Sequence, residues 1–148
     1  MTGGKMKFVV LFCCLLFVFG CASTGPAFAP ADVPPDKALI YLYRPGAFSL
    51  AARTIFLALP GSDKSYALVN AGYYPLFVDP GTVTIAGVGT DAVPVSFEIS
   101  VKGGEERYVR VTFDESGLSL AVPAKFEEVP AAQGKTEIAG CTLISIAE

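Results

Sequence analysis

The residue with the clearest chemistry in this sequence is Cys21, a thiol that follows Gly20 at the end of an uncharged apolar run, residues 8–19. Lys5 and Lys7 precede the run, and basic residues, an apolar run and small residues in this order are typical of an export signal. A helix of this length spans about 18 Å, whereas the hydrocarbon core of a bilayer is roughly 30 Å thick. We therefore expect the signal segment to be removed rather than to remain as a membrane span.

The four residues Val18-Phe19-Gly20-Cys21 resemble the lipobox of bacterial lipoproteins, in which a small residue precedes the cysteine that becomes the new N-terminus. Phe19 departs from that pattern, which usually has a smaller residue at this position. The resemblance implies cleavage between Gly20 and Cys21, a lipid on the Cys21 sulfur, and more than one acyl chain, which together give stable attachment. Ala22, in place of an acid, implies sorting to the outer membrane, facing the periplasm.

A second cleavage position competes with the first. Ala27-Phe28-Ala29 has the small-x-small form of an ordinary secretory site, and its cleavage would release a soluble protein beginning at Pro30. Proline has a fixed φ and no backbone N–H, so it fits poorly into the extended backbone that a protease binds. We favour cleavage before Cys21 and keep the later site as the alternative.

The catalytic repertoire of the chain is small. It contains no histidine, which removes the commonest general base and metal ligand. Once Cys13 and Cys14 leave with the signal and Cys21 carries lipid, Cys141 alone remains, too few thiols for a disulfide, a zinc site or an iron–sulfur cluster. We expect Cys141 to be a small buried hydrophobic residue, and we predict no enzyme activity, cofactor or metal.

The charge of the chain narrows the choice of partners. The whole chain has a net charge of −3, and loss of Lys5 and Lys7 with the signal lowers it to −5. An acidic chain repels phosphates, so we expect no binding to nucleic acid and no electrostatic attraction to anionic lipid. The pairs Glu105-Glu106 and Glu127-Glu128 could bind Ca²⁺ or act as acid and base. Because neighbours on a strand point to opposite faces, we predict instead that they are solvated surface charges.

The six tyrosines of the chain could form an aromatic binding surface. Tyr41 and Tyr43 share a strand face by their spacing of two, and together with Arg44 and Tyr73 they are candidates for a pocket that binds a glycan or lipid fragment. The alternative is that the rings are buried and the hydroxyl groups reach water. The tyrosines of the chain are Tyr41, Tyr43, Tyr66, Tyr73, Tyr74 and Tyr108.

Arg44 is the most site-like polar residue. Its guanidinium could bind a carboxylate or phosphate through two parallel bonds, or stack on an aromatic ring. Because charged groups near a core are normally paired, we expect an internal partner such as Asp79 or Glu98.

The elements that must position these residues begin after a proline-rich stretch. Residues 1–20 form the signal, and residues 21–36 combine the lipidated cysteine with a Pro/Ala-rich tether, which extended could hold the domain up to about 46 Å from the lipid. Residues 37–129 carry short strand-like runs separated by turn residues. Residues 130–148 form a tail in which 133–135 is a predicted loop and 138–146 either a closing strand or a short helix.

Two hairpins are predicted within residues 37–129. The first pairs residues 95–102 with 108–113 across Gly103-Gly104. Alternation places one set of apolar side chains on one face of the first strand, namely Val95, Phe97, Ile99 and Val101. In the second strand, Val109, Val111 and Phe113 alternate with polar residues in the same way. The second is centred on Asp79-Pro80-Gly81, with Leu76, Val78, Val83 and Ile85 facing the core. Further strands are predicted at 38–44, 54–59, 65–69 and 118–122, and no long amphipathic helix is expected.

The pattern is that of an all-β protein, an antiparallel sandwich of seven to nine strands. Residues 37–122 resemble the bacterial lipoprotein domain family DUF2846, whose function is unknown. The resemblance rests on residues 38–45, on Gly72-Tyr73-Tyr74 leading to Asp79-Pro80-Gly81, and on residues 104–110. It implies a lipid-tethered β-sandwich with no established activity. We therefore expect a non-enzymatic lipoprotein of the cell envelope that contacts envelope proteins or cell wall.

Overall fold

A computed structural model of the protein describes residues 25–89, 93–116 and 122–144. Nine strands and one helix occur within these ranges. The strands are β1 (Ala38–Arg44), β2 (Ile55–Ala58), β3 (Ser65–Leu68), β4 (Gly72–Val78), β5 (Gly81–Val88), β6 (Pro94–Val101), β7 (Glu106–Phe113), β8 (Ala124–Val129) and β9 (Thr142–Leu143). The helix α1 (Ala131–Ile138) lies between β8 and β9.

The strands form two sheets that pack face to face. One has five strands in the order β8-β7-β1-β4-β9, and the other has four in the order β3-β2-β5-β6. Neighbours are antiparallel except for two parallel pairs, β1 with β7 and β4 with β9. Mostly aliphatic side chains from both sheets, together with Tyr66 and Phe113, fill the space between them. The predicted all-β sandwich is confirmed, with nine strands in the described ranges.

Strand β1 lies at the centre of the five-stranded sheet and is buried along its whole length. Ala38, Ile40 and Leu42 point into the core between the sheets. Leu39 and Tyr41 point to the face turned away from the other sheet, which we call the outer face, and both are fully buried there. A strand covered on both sides carries apolar side chains at every position, which explains the unbroken run in its sequence.

Both predicted hairpins are wrong in their pairing although right in their faces. β6 pairs with β5, whereas β7 pairs with β1 and β8, so Gly103-Gly104 carries the chain from one sheet to the other. Asp79-Pro80-Gly81 does the same between β4 and β5. Of the side chains expected to face the core, all but Val95 do so or pack against it, because alternation determines the face of a strand but not its partner.

The chain from residue 122 onward differs in part from its prediction. Strand β8 was not expected, since its six residues include three charged side chains, which suit its place at the edge of the sheet. Residues 133–135, predicted as a loop, belong to α1. In the described part of residues 138–146, for which a closing strand and a short helix were both left open, Ile138 ends α1 and Thr142–Leu143 form the two-residue β9. The strand predicted at 118–122 falls almost entirely outside the described residues.

Residues 25–36, which we call the N-terminal segment, lie along the outer face. Ala27 forms an isolated bridge with Thr142, and the Phe28 N–H donates to the Cys141 carbonyl at 3.0 Å. Gly25 sits so close to the Leu143 carbonyl that a Cβ there would overlap it. The expectation of a free spacer is therefore corrected for this part of the predicted tether, because its apolar side chains are drawn onto the sheet.

Candidate functional site

The candidate ligand-binding tyrosines Tyr41, Tyr43 and Tyr73 lie with Tyr108 in one layer on the outer face, which we call the tyrosine layer. Strand register places Tyr41 beside Tyr108 and Tyr43 beside Tyr73. The rings of Tyr41 and Tyr108 stack with centroids 5.2 Å apart. All four side chains are at most 4 % exposed.

Two segments cover the tyrosine layer. From the N-terminal segment, the Phe28 ring meets Tyr41 and Tyr73 edge-on, with centroids 5.3 and 5.2 Å away. From the other end of the chain, Ile138 and Cys141 pack on the same cluster. Such edge-on contacts contribute about 0.5–1.5 kcal/mol beyond the area that they bury. The tyrosines are therefore part of a second apolar core and are not presented to a ligand at the surface.

Helix α1 comes close to the sheet because of one glycine. A Cβ at Gly134 would overlap the ring of Tyr108, so a side chain there would push the helix outward. The N–H of Gly134 donates to the Pro130 carbonyl at 2.9 Å, in the first turn of the helix. Glycine at a helix interior normally costs about 1 kcal/mol relative to alanine. Here the absence of a side chain lets α1 pack closely against Tyr108. A glycine is therefore tolerated inside the helix, although the sequence predicted a loop at this position.

The hydroxyl groups of the tyrosine layer are hydrogen-bonded within the protein. Tyr43 Oη donates to Glu137 Oε2 at 2.7 Å, and Tyr108 Oη donates to Glu106 Oε1 at 2.8 Å. Tyr41 Oη accepts from the Ala31 N–H at 2.8 Å. Burial, and then the neighbouring carboxylates, raise the pKa of Tyr43 and of Tyr108, so both stay neutral donors. These hydroxyl groups were expected to reach water. They are instead hydrogen-bonded to protein groups.

Arg44 lies on the opposite face from the tyrosines and is only 3 % exposed. Its Nη1 and Nη2 donate to the carbonyls of Arg53 and Leu50 at 2.5 and 2.7 Å. The guanidinium also stacks on the Phe113 ring, with its central carbon 4.9 Å from the ring centroid. Burial lowers the pKa of Arg44, although a guanidinium stays charged at any physiological pH.

Arg44 has internal partners, as expected, but they are backbone carbonyls and not the carboxylates of Asp79 or Glu98. Asp79 binds Lys37 instead, at 2.7 Å, and Glu98 is exposed on β6. The stacking alternative is confirmed. Arg44 therefore holds the loop that follows β1 and does not join the tyrosines in one pocket.

Charged residues form a rim around the tyrosine layer. Arg110 bridges Glu127 and Glu137, at 2.8 and 3.0 Å, and so ties β7, β8 and α1 together. Arg107 bridges Glu105 and Glu128, at 2.9 and 2.8 Å. Glu127 and Glu128 thus engage different arginines, as expected for adjacent residues on a strand.

An open groove of about 490 Å³ lies at one end of this rim. Its walls are residues 105–108 and 128–131. Arg107 Nε is buried and has no hydrogen-bond partner among the described residues. Tyr108 is the one member of the tyrosine layer that lines this groove.

The electrostatics of the rim favour fixed charges. Burial alone would raise the pKa of Glu137, but hydrogen bonds from Gln133 and Tyr43 and the charge of Arg110 outweigh it and lower that pKa. A hydrogen bond from Arg110 likewise lowers the pKa of Glu127. Burial raises the pKa of the Cys141 thiol to about 11. At neutral pH these carboxylates are therefore ionised and the thiol is protonated, and none of them is poised for proton transfer or nucleophilic attack.

The predicted site residues end up in three places. Tyr41, Tyr43 and Tyr73 are together but covered, and Arg44 is separate. Cys141 is free and buried, as expected. Gly20 and Cys21 lie outside the described residues. No group of three potential metal ligands occurs within the described ranges.

Sequence reasoning missed Phe28 and Glu137, the residues that close the tyrosine layer. A signal for Phe28 was present, since it is a large aromatic side chain within a predicted tether of small residues and prolines. For Glu137 there was no local signal of its contact with the tyrosine layer, because Tyr43 is 94 residues away in sequence.

Comparisons with known proteins return no match to a family model, to a curated protein or to a solved structure. Among the described residues, no helix has the length and apolar character needed to cross a bilayer.

Proposed function

We propose that the protein is a lipoprotein of the cell envelope, anchored through lipid on Cys21, with a non-enzymatic β-sandwich that contacts envelope proteins or cell wall. Anchoring in the outer membrane, facing the periplasm, is part of this proposal. The likeness of residues 18–21 to a lipobox and of residues 37–122 to DUF2846 supports it.

The observation that carries the proposal is the docking of the N-terminal segment. Cleavage after Ala29 would remove Phe28, whose ring contacts Tyr41 and Tyr73. It would also remove Pro26, whose carbonyl accepts from the Leu143 N–H at 2.8 Å. Cleavage after Gly20 leaves all of these contacts in place. The secretory alternative therefore costs the fold part of its second core, whereas the lipoprotein site does not.

A non-enzymatic role is favoured by the state of the titratable groups. The carboxylates of the rim are paired with arginines, and the raised pKa values of Tyr43, Tyr108 and the Cys141 thiol keep these groups protonated at neutral pH. Catalysis of proton transfer works best with a pKa near the operating pH. Paired charges at a surface instead suit recognition of another macromolecule.

Intact-mass analysis of the protein extracted from membranes tests the anchor. We expect a chain that begins at residue 21 and carries the mass of several acyl chains, and we expect Cys21→Ser to lose that added mass. A chain that begins at Pro30 would contradict the proposal. Crosslinking in intact cells should then recover a recurrent envelope partner for the wild-type protein.

Binding of a small ligand is the second candidate function, and the unpartnered Nε of Arg107 beside the groove favours it. The site would be this groove and not the buried tyrosines. Saturation-transfer NMR with a disaccharide of N-acetylglucosamine, and separately with a short-chain phospholipid, tests it. Signal that disappears in Arg107→Leu but persists in Arg53→Leu would support the groove, and no signal from the wild-type protein would remove this candidate.

A further inference from the structure

The described chain begins at one end of the sandwich, which we call the loop end. Ala27 bridges Thr142, and Thr142 pairs with Gly72, which itself pairs with Arg44, the last residue of β1. The N-terminal segment thus starts beside the end of β1 and runs toward its beginning. The described chain therefore starts at the loop end, and Gly25 is its first residue there.

The covalent chain limits how far this end can be from Cys21. Gly25 is four positions after Cys21, and a fully extended chain covers at most about 3.6 Å per residue, or about 14 Å in all. The 46 Å expected from a free tether is therefore out of reach while the N-terminal segment stays docked. A lipid on Cys21 would hold the loop end close to the membrane surface.

The loop end also carries most of the exposed apolar side chains. Phe48 lies in the loop between β1 and β2 and is fully exposed. Phe56, the second residue of β2, is 49 % exposed, and Val93, just before β6, is 56 % exposed. Register places these two near each other, since Phe56 and Pro94 both pair with Val88. Residues 45–52 contain no charged side chain.

The loop that presents Phe48 is held in place. The Asn70 side chain donates to the Ala47 carbonyl and accepts from the Ala47 N–H, each at 3.0 Å. The Arg44 guanidinium donates hydrogen bonds to the carbonyls of Leu50 and Arg53. Because the backbone around Phe48 is already ordered, its insertion into another phase loses little conformational entropy.

We infer that the loop end, with Phe48 at its tip, lies on the lipid surface that holds Cys21 and inserts apolar side chains between the headgroups. The inference rests on the proposed lipidation of Cys21, because one phenylalanine alone binds a bilayer weakly. Aromatic side chains favour the boundary between headgroups and acyl chains. Glu115, whose carboxylate accepts from Ser49 Oγ at 3.3 Å, places negative charge at this end, so the surface it fits is zwitterionic.

Tryptophan fluorescence tests the contact, since the chain contains no tryptophan. Phe48→Trp is compared with Phe77→Trp, which is 45 % exposed but lies beside Leu39 at the opposite end of the sheet. Each acylated variant is reconstituted in phosphatidylcholine vesicles that contain lipid brominated on its acyl chains. We expect a blue shift for Phe48→Trp and quenching at least about twofold stronger than for Phe77→Trp.

A second preparation separates this inference from the proposed function. Residues 21–148 are coupled through Cys21 to a maleimide lipid in the same vesicles, and the burial of Cys141 directs the coupling to Cys21. If mass analysis finds no acyl chains on the natural protein, lipidation fails, and the coupled preparation still decides the orientation. Equal quenching of the two variants there would overturn the inference.

Two further measurements complete the test. If circular dichroism shows that Phe48→Trp is unfolded, Phe56→Trp takes its place with the same expectation. Adding phosphatidylglycerol should leave the blue shift and quenching unchanged or weaken them, because Glu115 opposes anionic lipid. A signal that strengthens with anionic lipid would contradict the commitment to a zwitterionic surface.

Discussion

The two faces of the five-stranded sheet are both buried, but by different means. On the inner face, Ile40 and Leu42 pack against the second sheet through aliphatic contacts. On the outer face, Tyr41 and Tyr43 pack against the N-terminal segment and α1, and their hydroxyls are bonded to the cover. The second sheet covers the inner face with apolar side chains. The N-terminal segment and α1 cover the outer face, where they also provide hydrogen-bond partners for the tyrosine hydroxyls.

This difference predicts that the inner face carries most of the stability. Leu42→Ala removes a fully buried side chain from the core between the sheets. We expect the free energy of unfolding to fall by about 3–5 kcal/mol, through lost burial and the cavity left behind. Urea denaturation measures it. A smaller loss than that caused by Gly134→Ala or Phe28→Ala on the outer face would contradict the prediction that the inner face contributes more stability.

The contact of α1 with the outer face is tested by Gly134→Ala. Alanine should stabilise a helix by about 1 kcal/mol, so a net loss would come from its clash with the Tyr108 ring. We expect destabilisation of about 1–3 kcal/mol from overpacking. Gly140→Ala is the control, since a Cβ there meets no atom within 4 Å. Equal effects of the two substitutions would show that the contact with the Tyr108 ring is not the cause of the loss.

The N-terminal cover is tested by Phe28→Ala. Phe28 is partly buried and contacts two tyrosine rings, so we expect a loss of about 1–2 kcal/mol. Phe48→Ala, at a fully exposed position, should leave the unfolding free energy within about 0.5 kcal/mol of the wild type. Hydrogen exchange should also show the Phe28 N–H opening before the amides of β1. If the Phe28 amide and the amides of β1 exchange with the same free energy of opening, the N-terminal segment and the sheet unfold as one unit. That result would contradict the prediction.

The smallest expected effect concerns the pH dependence of the rim. The pKa of Glu137 in the folded protein lies below its ordinary 4.5, so ionised Glu137 stabilises the fold above that value. This stabilisation is lost as the pH falls through the lower, folded value. We expect Glu137→Gln to flatten the fall in unfolding free energy between about pH 5 and 3, with a change at pH 7 of about 1 kcal/mol.

Glu127→Gln provides the comparison for this prediction. Glu127 binds the same arginine, Arg110, but its side chain is 46 % exposed against 22 % for Glu137. We expect its effect on the pH profile to be smaller because solvent screens the pair. Stability curves in urea from pH 3 to 7 measure both variants, and a larger effect for Glu127→Gln would contradict the role assigned to burial.

The central strand of the fold could be predicted closely, and the outer cover could not. Residues 38–44 were predicted as a strand and form β1, because their composition alone favours a buried strand. The N-terminal segment has four prolines within or beside small residues, a composition typical of linkers. Its docking depends on Phe28 meeting Tyr41 and Tyr73, a contact between distant parts of the chain.

The candidate site shows the same division. Period-two spacing correctly placed Tyr41 and Tyr43 on one face, but no local pattern indicated whether that face was open. Helix α1 and the N-terminal segment close it, and Glu137 and Ala31 satisfy two of its hydroxyls. The residues expected to line a pocket therefore belong to a second core. The open groove lies elsewhere, between residues 105–108 and 128–131.

By itself, the sequence determined the all-β class, most strand positions and the face of each side chain, because these follow from local backbone geometry that repeats every two residues. Tertiary structure alone decided which strands pair and what covers the outer face. Both pairs of strands predicted as hairpins were separated into different sheets, since burial of a whole face in a sandwich outweighs the local preference for a tight turn. The same packing brings residue 25 beside Leu143 and so limits how far the domain can lie from Cys21.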